Sequence, residues 1–547
     1  MIDLWYKNAV IYSLDVETFA DSDGNGVGDF HGLIGKLDYL TSLGVTCVWL
    51  LPFYPSPNRD NGYDVTDFYG VDPRLGTLGD FVEFTRAARE RGIRVLADLV
   101  VNHTSIDHPW FQAARRDARS EYRDYYVWSE EKPENAHEGM VFPGVQESTW
   151  TWDRTAGAWY FHRFYKHQPD LNITTPRVRE EIARIMGFWL QLGVSGFRVD
   201  ALPFLIELVG AEEPQRDPHD FLREFRGSLS WWQGDAIMLA EANLAPEAVP
   251  DYVGHGEKVQ VMFNFFANQH LFLSLATGDP ASLRAAYAAL PPLPDVCQWA
   301  NFLRTHDELD LGRLGDADRH TVFDAFAPEP GMQLYERGIR RRLAPMLGND
   351  RRRIELAHSL MLTLPGTPIL RYGDEIGMGD DLSLDERESV RTPMQWTNGP
   401  NGGFSTAPGD RLIHPVIDEG EFGYRRVNVT EQQRDPDSLL SWTERVIRVR
   451  RECREFGWGR AEFLATDHPG ILSHRLVCDE RSVVVLHNLS PREQGISVRL
   501  TPGTVARDLL SRDAPLAGGG ELRLTLPPYG YRWFREERAG RAGDGSG

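Results

Sequence analysis

The sequence predicts an α/β fold: a (β/α)8 TIM barrel with an inserted domain (domain B) after the third strand and a C-terminal all-β sandwich domain. Three observations lead there. Short apolar runs alternate with helical patterns through most of the chain, the signature of repeated βα units. The runs carry no polar face, as in parallel strands covered on both sides. Eight of them can be counted, the number that closes a barrel. A chain of 547 residues has room for that barrel and additions.

The elements follow in order. Ala9–Leu14 reads as the first strand, then a helix over Leu33–Leu43 stopped by Gly44, then a strand at Val45–Leu51. Asp80–Arg91 is a helix ended by Gly92, and Ile93–Val101 is the third strand. From 104 to 176 the chain is rich in Trp, Tyr, Asp and Pro without a clean period. That stretch is too long for a loop and reads as an inserted domain. The helix Val178–Leu192 restores the rhythm, and strands follow at Val194–Val199, Ala236–Ala240, Lys258–Phe263, Trp299–Leu303 and Pro368–Tyr372. Leu439–Arg451 is a helix. Alternating strands then begin at Ile471–Leu476, Ser482–Leu489, Ile496–Leu500 and Glu521–Leu526, separated by turn residues. The expected division is barrel 1–103, insertion 104–176, barrel 177–454, β domain 455–537 and a disordered tail 538–547. An open doubly wound sheet is the competing architecture, but no Gly-rich phosphate fingerprint supports it.

Composition excludes some partners. The chain has 59 basic and 80 acidic residues, a balance of −21. Nucleic-acid binders cluster Lys and Arg, and anionic membrane surfaces repel such a charge, so neither partner is expected. No apolar run is long enough for a transmembrane helix. The four cysteines form no CxxC pair, so reduced thiols and a cytoplasmic enzyme are the expectation. Oligomeric state is not legible; a homodimer is the working expectation.

In a barrel, chemistry sits where strands end. Asn102 and His103 follow the third strand, Arg198 and Asp200 close the fourth, Glu241 closes the fifth, and His306 and Asp307 follow the seventh. Each alone has a plain structural alternative, such as a helix N-cap or an ion pair. Together they read as one carboxylate-rich site.

These segments carry a resemblance. Asp98–His103 (DLVVNH), Gly196–Asp200 (GFRVD), Glu241 and His306-Asp307 resemble, in order, the four signature regions of the α-amylase family, glycoside hydrolase family 13. The likeness covers roughly residues 5–535. Within the family, Asp21–Asp29, His167–Asn172, Gly338–Pro345, Tyr372–Gly379 and Arg391–Trp396 resemble the members that convert maltose into trehalose. The resemblance implies a retaining mechanism with Asp200 as nucleophile, Glu241 as acid/base and Asp307 as stabiliser of the distorted ring. Arg198 would orient Asp200, and His103 and His306 would donate hydrogen bonds to the glucose. Tyr63 would stack on the sugar, Asp64 would bind its distal hydroxyls, and Arg391 would pair with Asp64. On spacing alone, Tyr63 reads rather as core and Asp64 as a turn residue; the resemblance reverses that.

Asp21, Asp23, Asn25 and Asp29 alternate with Ser or Gly, which suits a wrapped calcium loop or a simple turn. The resemblance supplies a structural calcium there, completed by the Val27 carbonyl. It implies a second calcium at Asn102, Asp170, Glu207 and the carbonyls of Phe204 and Leu205. No organic cofactor is expected, and the partner is a small neutral disaccharide.

Three readings remain open. One is maltose–trehalose interconversion through a glucosyl-enzyme; one is an α-glucosidase acting on maltose, sucrose or a glucosylated polyol. The third is a non-catalytic sugar-binding or scaffold protein, which presence of all three carboxylates disfavours. Leu14–Glu17, Tyr54-Pro55 and Thr305 depart from the usual trehalose-forming pattern and leave the substrate open.

Overall fold

The computed structural model describes residues 3–207, 209, 217–511 and 520–538. Strands are numbered in chain order. β1 (Ile11–Leu14), β2 (Cys47–Leu50) and β3 (Arg94–Leu99) precede an insertion holding β4 (Trp128–Ser129), β5 (Trp150–Asp153) and β6 (Ala158–Phe161). Then come β7 (Gly196–Val199), β8 (Ile237–Ala240), β9 (Val261–Phe263), β10 (Gln298–Phe302), β11 (Leu309–Asp310), β12 (Gln333–Leu334), β13 (Gly338–Ile339) and β14 (Thr367–Arg371). Eight of these close a parallel barrel in the order β1-β14-β10-β9-β8-β7-β3-β2. Each coincides with an expected strand, with ends differing by a few residues.

The barrel strands are buried on both faces because two cores meet on them. Ile11, Trp49, Leu96, Leu239, Val261, Phe263, Phe302 and Ile369 fill the interior. The alternate residues, such as Tyr12, Val48, Val95 and Phe197, pack under the helices. Apolar runs without alternation are the sequence trace of that double covering.

The insertion carries a helix, Pro109–Arg116, and a small antiparallel sheet in the order β4-β6-β5. The expected helix over Leu33–Leu43 is two, Phe30–Ile34 and Leu37–Leu43. Gly35 separates them, and glycine propagates a helix poorly. The first half is capped by Asp29, whose side chain accepts from Gly32 N.

The C-terminal β domain pairs two antiparallel sheets over a shared apolar layer of Ile471, Val484, Leu486, Ile496, Val498 and Phe534. Its strands are β15 (Arg460–Phe463), β16 (Ile471–Cys478), β17 (Arg481–Asn488), β18 (Gln494–Arg499), β19 (Thr504–Asp508), β20 (Glu521–Leu526) and β21 (Tyr531–Arg538). Sequence patterning missed β15, β19 and β21. In β21 Trp533 and Phe534 are both buried, because the sheet is covered by the barrel on one side and by β18-β20 on the other, so no alternation shows. Arg538, expected in the tail, closes β21. Residues 539–547, the rest of that expected tail, lie outside the described residues. No helix among the described residues is long and apolar enough to cross a membrane.

Candidate active site

Strand register builds the centre. β3 and β7 pair with Asp98 opposite Arg198. The buried guanidinium of Arg198 then gathers three carboxylates. Its Nη1 lies 2.7 Å from Asp98 Oδ1 and 2.5 Å from Asp200 Oδ1, and its Nη2 lies 2.7 Å from Glu241 Oε1. Asp200 follows the last residue of β7 and Glu241 the last residue of β8, so both project at the carboxyl rim. Ala201 takes a left-handed φ of 51°, uncommon outside glycine. Its N–H donates to Glu241 Oε2 at 2.9 Å, which orients the second carboxylate relative to the first.

Three acids around one cation cannot all ionise freely. Burial pushes Asp98 up to about 6, and Asp200 and Glu241 up to about 7. Arg198 pulls each back down, while the carboxylates raise one another. The cluster therefore holds a proton near neutrality, shared among its members.

Asp307 has the opposite environment. Burial alone would raise it, but Arg387, His306 and Arg391 together hold it well below the usual carboxylate range. Arg387 Nη1 and Arg391 Nη2 stand 3.0 and 3.3 Å from its Oδ1, and His306 Nε2 stands 3.0 Å from its Oδ2. His306 has its pKa pushed far down by burial, against the pull of Asp307. Its ring lies parallel to that of Tyr63, centroids 5.6 Å apart, and its Nε2 is 2.7 Å from the Tyr63 hydroxyl. The same hydroxyl donates to Asp98 Oδ2 at 2.9 Å.

These groups line a cavity of about 340 Å³, within the range of small-ligand sites. Asp200, Glu241, Asp307, Arg198, Tyr63, His103 and His306 all reach it. Trp49, Phe142, Phe164, Phe204 and Phe265 supply aromatic walls.

Two expected residues are elsewhere. Asp64 is fully buried and serves a turn, accepting from Ser56 Oγ at 2.8 Å and from the Arg59 and Asp60 amides at 3.3 Å each. It does not line the cavity. Arg391 accordingly pairs with Asp307 and Glu388 rather than with Asp64, and its Nε donates to the His306 carbonyl at 3.0 Å. Asp60, four residues earlier, is the acid that lines the cavity, held by Gln168 Nε2 at 2.7 Å. Burial raises it to about 6, with Arg387 and Arg391 pulling it down. His103 Nε2 donates to the Tyr63 carbonyl at 3.0 Å. That bond leaves Nδ1 as an acceptor, so His103 fixes the Tyr63 segment rather than donating to a ligand.

Sequence reasoning also missed Arg387. It lies on the 3-10 helix Glu386–Val390, where no strand-end rule points. Its Nε binds Glu308 Oε2 at 2.8 Å, and its guanidinium lies over the rings of Phe142 and Tyr335 at 4.9 and 5.5 Å. Phe142 belongs to the insertion and stacks on Tyr165 at 4.7 Å. Tyr165 and Tyr335 both donate to Glu386 Oε2, at 2.8 and 2.9 Å. Arg337 Nη2 adds a bond to the Val141 carbonyl at 2.9 Å. The insertion is thus latched to the barrel directly over the cavity.

Asp21, Asp23 and Asp29 each offer a carboxylate oxygen within 4.8 Å of the others. Gly24 N and Gly26 N bind Asp21, each at 2.8 Å, and Val27 N binds Asn25 Oδ1 at 2.8 Å, which wraps the loop around the cluster. No Lys or Arg among the described residues pairs with these acids, so the donor set fits a divalent cation with oxygen preference. The second expected set assembles only in part. Asn102 hydrogen-bonds Asp170, whose Oδ1 also accepts from Arg163 N at 2.9 Å. Glu207 instead pairs with the Arg163 guanidinium. The Phe204 carbonyl accepts from Glu207 N at 3.1 Å, while the Phe204 ring turns into the catalytic cavity. Leu205 is buried in the main core.

Comparison with known proteins decides the family. The model of the α-amylase catalytic domain matches residues 12–309 and 339–459. The chain belongs to the α-amylase family. A model described as the C-terminal domain of sucrose hydrolase-like proteins matches residues 481–535. A protein named trehalose synthase from Pimelobacter sp. strain R48 is 42% identical over 549 residues, covering 97% of this chain and 96% of that one. The α-amylase structure from H. orenii superposes with a TM-score of 0.78 at 30% identity, over 97% of this chain and all of that chain. Trehalulose synthase from Pseudomonas mesoacidophila MX-45 gives 0.76 at 26% identity, over 97% and 99%. Within this family the strand-end rule located Asp200, Glu241 and Asp307. Asp60 carried a weaker signal, an acid just before Gly62-Tyr63 in the loop after β2, and Arg387 carried none.

Proposed function

We propose that this enzyme interconverts maltose and trehalose by a retaining, intramolecular transfer of glucose. The observation that carries the reading is the make-up of the cavity: Asp200 and Glu241 share Arg198, and Phe142 of the insertion lines the same space. The 42% identity to a named trehalose synthase supports it. Asp200 attacks the anomeric carbon, forming a glucosyl ester as the bond to the leaving oxygen breaks. Glu241 gives that oxygen its proton. Glu241 then takes the proton from the anomeric hydroxyl of the retained second glucose, which attacks the same carbon and releases Asp200. Two inversions preserve the α configuration. Asp307, ionised between two arginines, stabilises the cationic ring. Asp60 and Arg387 would hold the distal hydroxyls. Water exclusion is needed because the ester is hydrolysable.

Asp21, Asp23, Asn25, Asp29 and the Val27 carbonyl would hold a structural calcium, which supplies cross-linking charge and no chemistry. The four cysteines are free thiols, three of them buried, which supports a reducing cytoplasmic setting. Incubation with maltose followed by chromatography tests the activity. Trehalose with little free glucose is expected. Free glucose alone would establish an α-glucosidase instead, and untouched maltose would leave an enzyme for sucrose or a glucosylated polyol, or a non-catalytic protein.

A further inference from the structure

A chain of alternating charges runs outward from the catalytic centre. Asp307 Oδ1 faces Arg391 Nη2 at 3.3 Å, and Arg391 Nη1 faces Glu388 Oε1 at 3.3 Å. The other oxygen of Glu388 lies 2.9 Å from His414 Nε2, an ion pair off the ideal hydrogen-bond line. His414 comes from the long segment between β14 and the helix Leu439–Glu452, and nothing in the strand-end logic points to it. We propose that His414, acting through Glu388 and Arg391, positions Asp307 and makes that positioning respond to pH. The inference rests on the reading of Asp307 as a catalytic group.

The surroundings of His414 favour its cationic form. Burial alone would lower its pKa, but Glu388, with Glu17 and Asp15 behind it, outweighs burial and holds the ring above its ordinary value. Asp15 and Glu17 come from the exit of β1, the segment that departs from the usual trehalose-forming pattern. Arg74 Nη1 pairs with Glu17 Oε2 at 3.2 Å, so Glu17 is partly neutralised, and Arg371 and Arg391 face Asp15. Asn61 Nδ2 donates to Glu388 Oε2 at 3.2 Å. Glu388 is itself held down at about 2, burial notwithstanding, by His414 and Arg391. One carboxylate thus divides its charge between two cations. When His414 loses its proton, Glu388 draws harder on Arg391, and Arg391 relaxes its hold on Asp307. His414 is a positioning residue in this scheme, since it touches neither sugar nor reacting atom.

The test compares wild type with His414→Gln, which keeps a polar side chain without the charge, and His414→Lys, which keeps the charge at high pH. Loss of maltose is followed, whichever product forms. The kcat of His414→Gln relative to wild type is expected to be about one third at about pH 5.5 and to approach about one at about pH 9. His414→Lys is expected to run the other way, near wild type in acid and above it in base, with KM changing less in both. Ratios that stay flat with pH in both variants would overturn the proposal. A second readout needs no turnover. With histidine-selective labelling, the His414 resonance, assigned by its loss in His414→Gln, is titrated in wild type and in Asp307→Asn. Removing the Asp307 charge frees Arg391 to move onto Glu388, so the midpoint of His414 should fall, as linkage requires. An unmoved midpoint overturns the coupling. Maltose left unconsumed by wild type would refute the functional reading, while the titration still decides the coupling.

Discussion

Arg387 Nη1 lies 3.0 Å from Asp307 Oδ1, reaching it from a short helix 80 residues away in the chain. The same guanidinium rests on Phe142 of the inserted domain at 4.9 Å. One side chain therefore ties the charge state of Asp307 to an aromatic wall that the insertion contributes to the pocket. Replacing Arg387 with Met keeps much of the ring packing and removes the charge. We expect kcat/KM for maltose to fall about a hundredfold, most of it in kcat, as for other losses of preorganised charge at a reacting centre. Steady-state kinetics check this; a loss confined to KM would leave Arg387 only its hold on the distal hydroxyls and remove its role in the charge of Asp307.

Activity should peak sharply near neutrality. Asp200 must be ionised to attack and Glu241 protonated to donate, yet burial brings both to about 7. Rates should rise as pH climbs toward 7 on the first requirement and fall beyond it on the second, with the two limbs belonging to the cluster as a whole. Asp200→Asn should cost about four orders of magnitude or more in kcat. Its effect on stability has a sign as well. A carboxylate raised in the folded state stabilises fully below its unfolded pKa and loses that contribution as pH rises through about 7. The amide carries no such loss, so thermal melts should show Asp200→Asn at least as stable as wild type above that pH.

Calcium should matter for stability rather than for chemistry. Chelation is expected to lower the melting temperature, and calcium at about 100 times its Kd should restore about 2.7 kcal/mol. Asp21→Asn should abolish the response. The kcat measured well below the melting range should be the same with and without the ion.

Phe142→Ala should loosen the latch without touching the carboxylates. Product analysis from maltose is expected to show a severalfold larger share of free glucose, with total maltose consumption changed less. An unchanged ratio of glucose to trehalose would mean that water is excluded by other elements.

The barrel was legible because its strands are covered on both sides, which leaves apolar runs, and because eight such runs are the number that closes a barrel. Its chemistry was legible because side chains at strand ends converge on one rim, so a one-dimensional rule locates Asp200, Glu241 and Asp307. Tertiary structure decided the rest. Asp64 and Asp60 lie in the same loop and differ only in how the turn folds, and the turn spends Asp64 on its own amides while aiming Asp60 at the cavity. Arg387 enters the centre, and Glu388 and His414 stand behind it, from segments without a strand to announce them. Glu207 followed the nearest guanidinium. Local patterning determines which faces are buried, because burial repeats with the period of the backbone. Which charge meets which is a matter of through-space distance, and only the folded chain sets that.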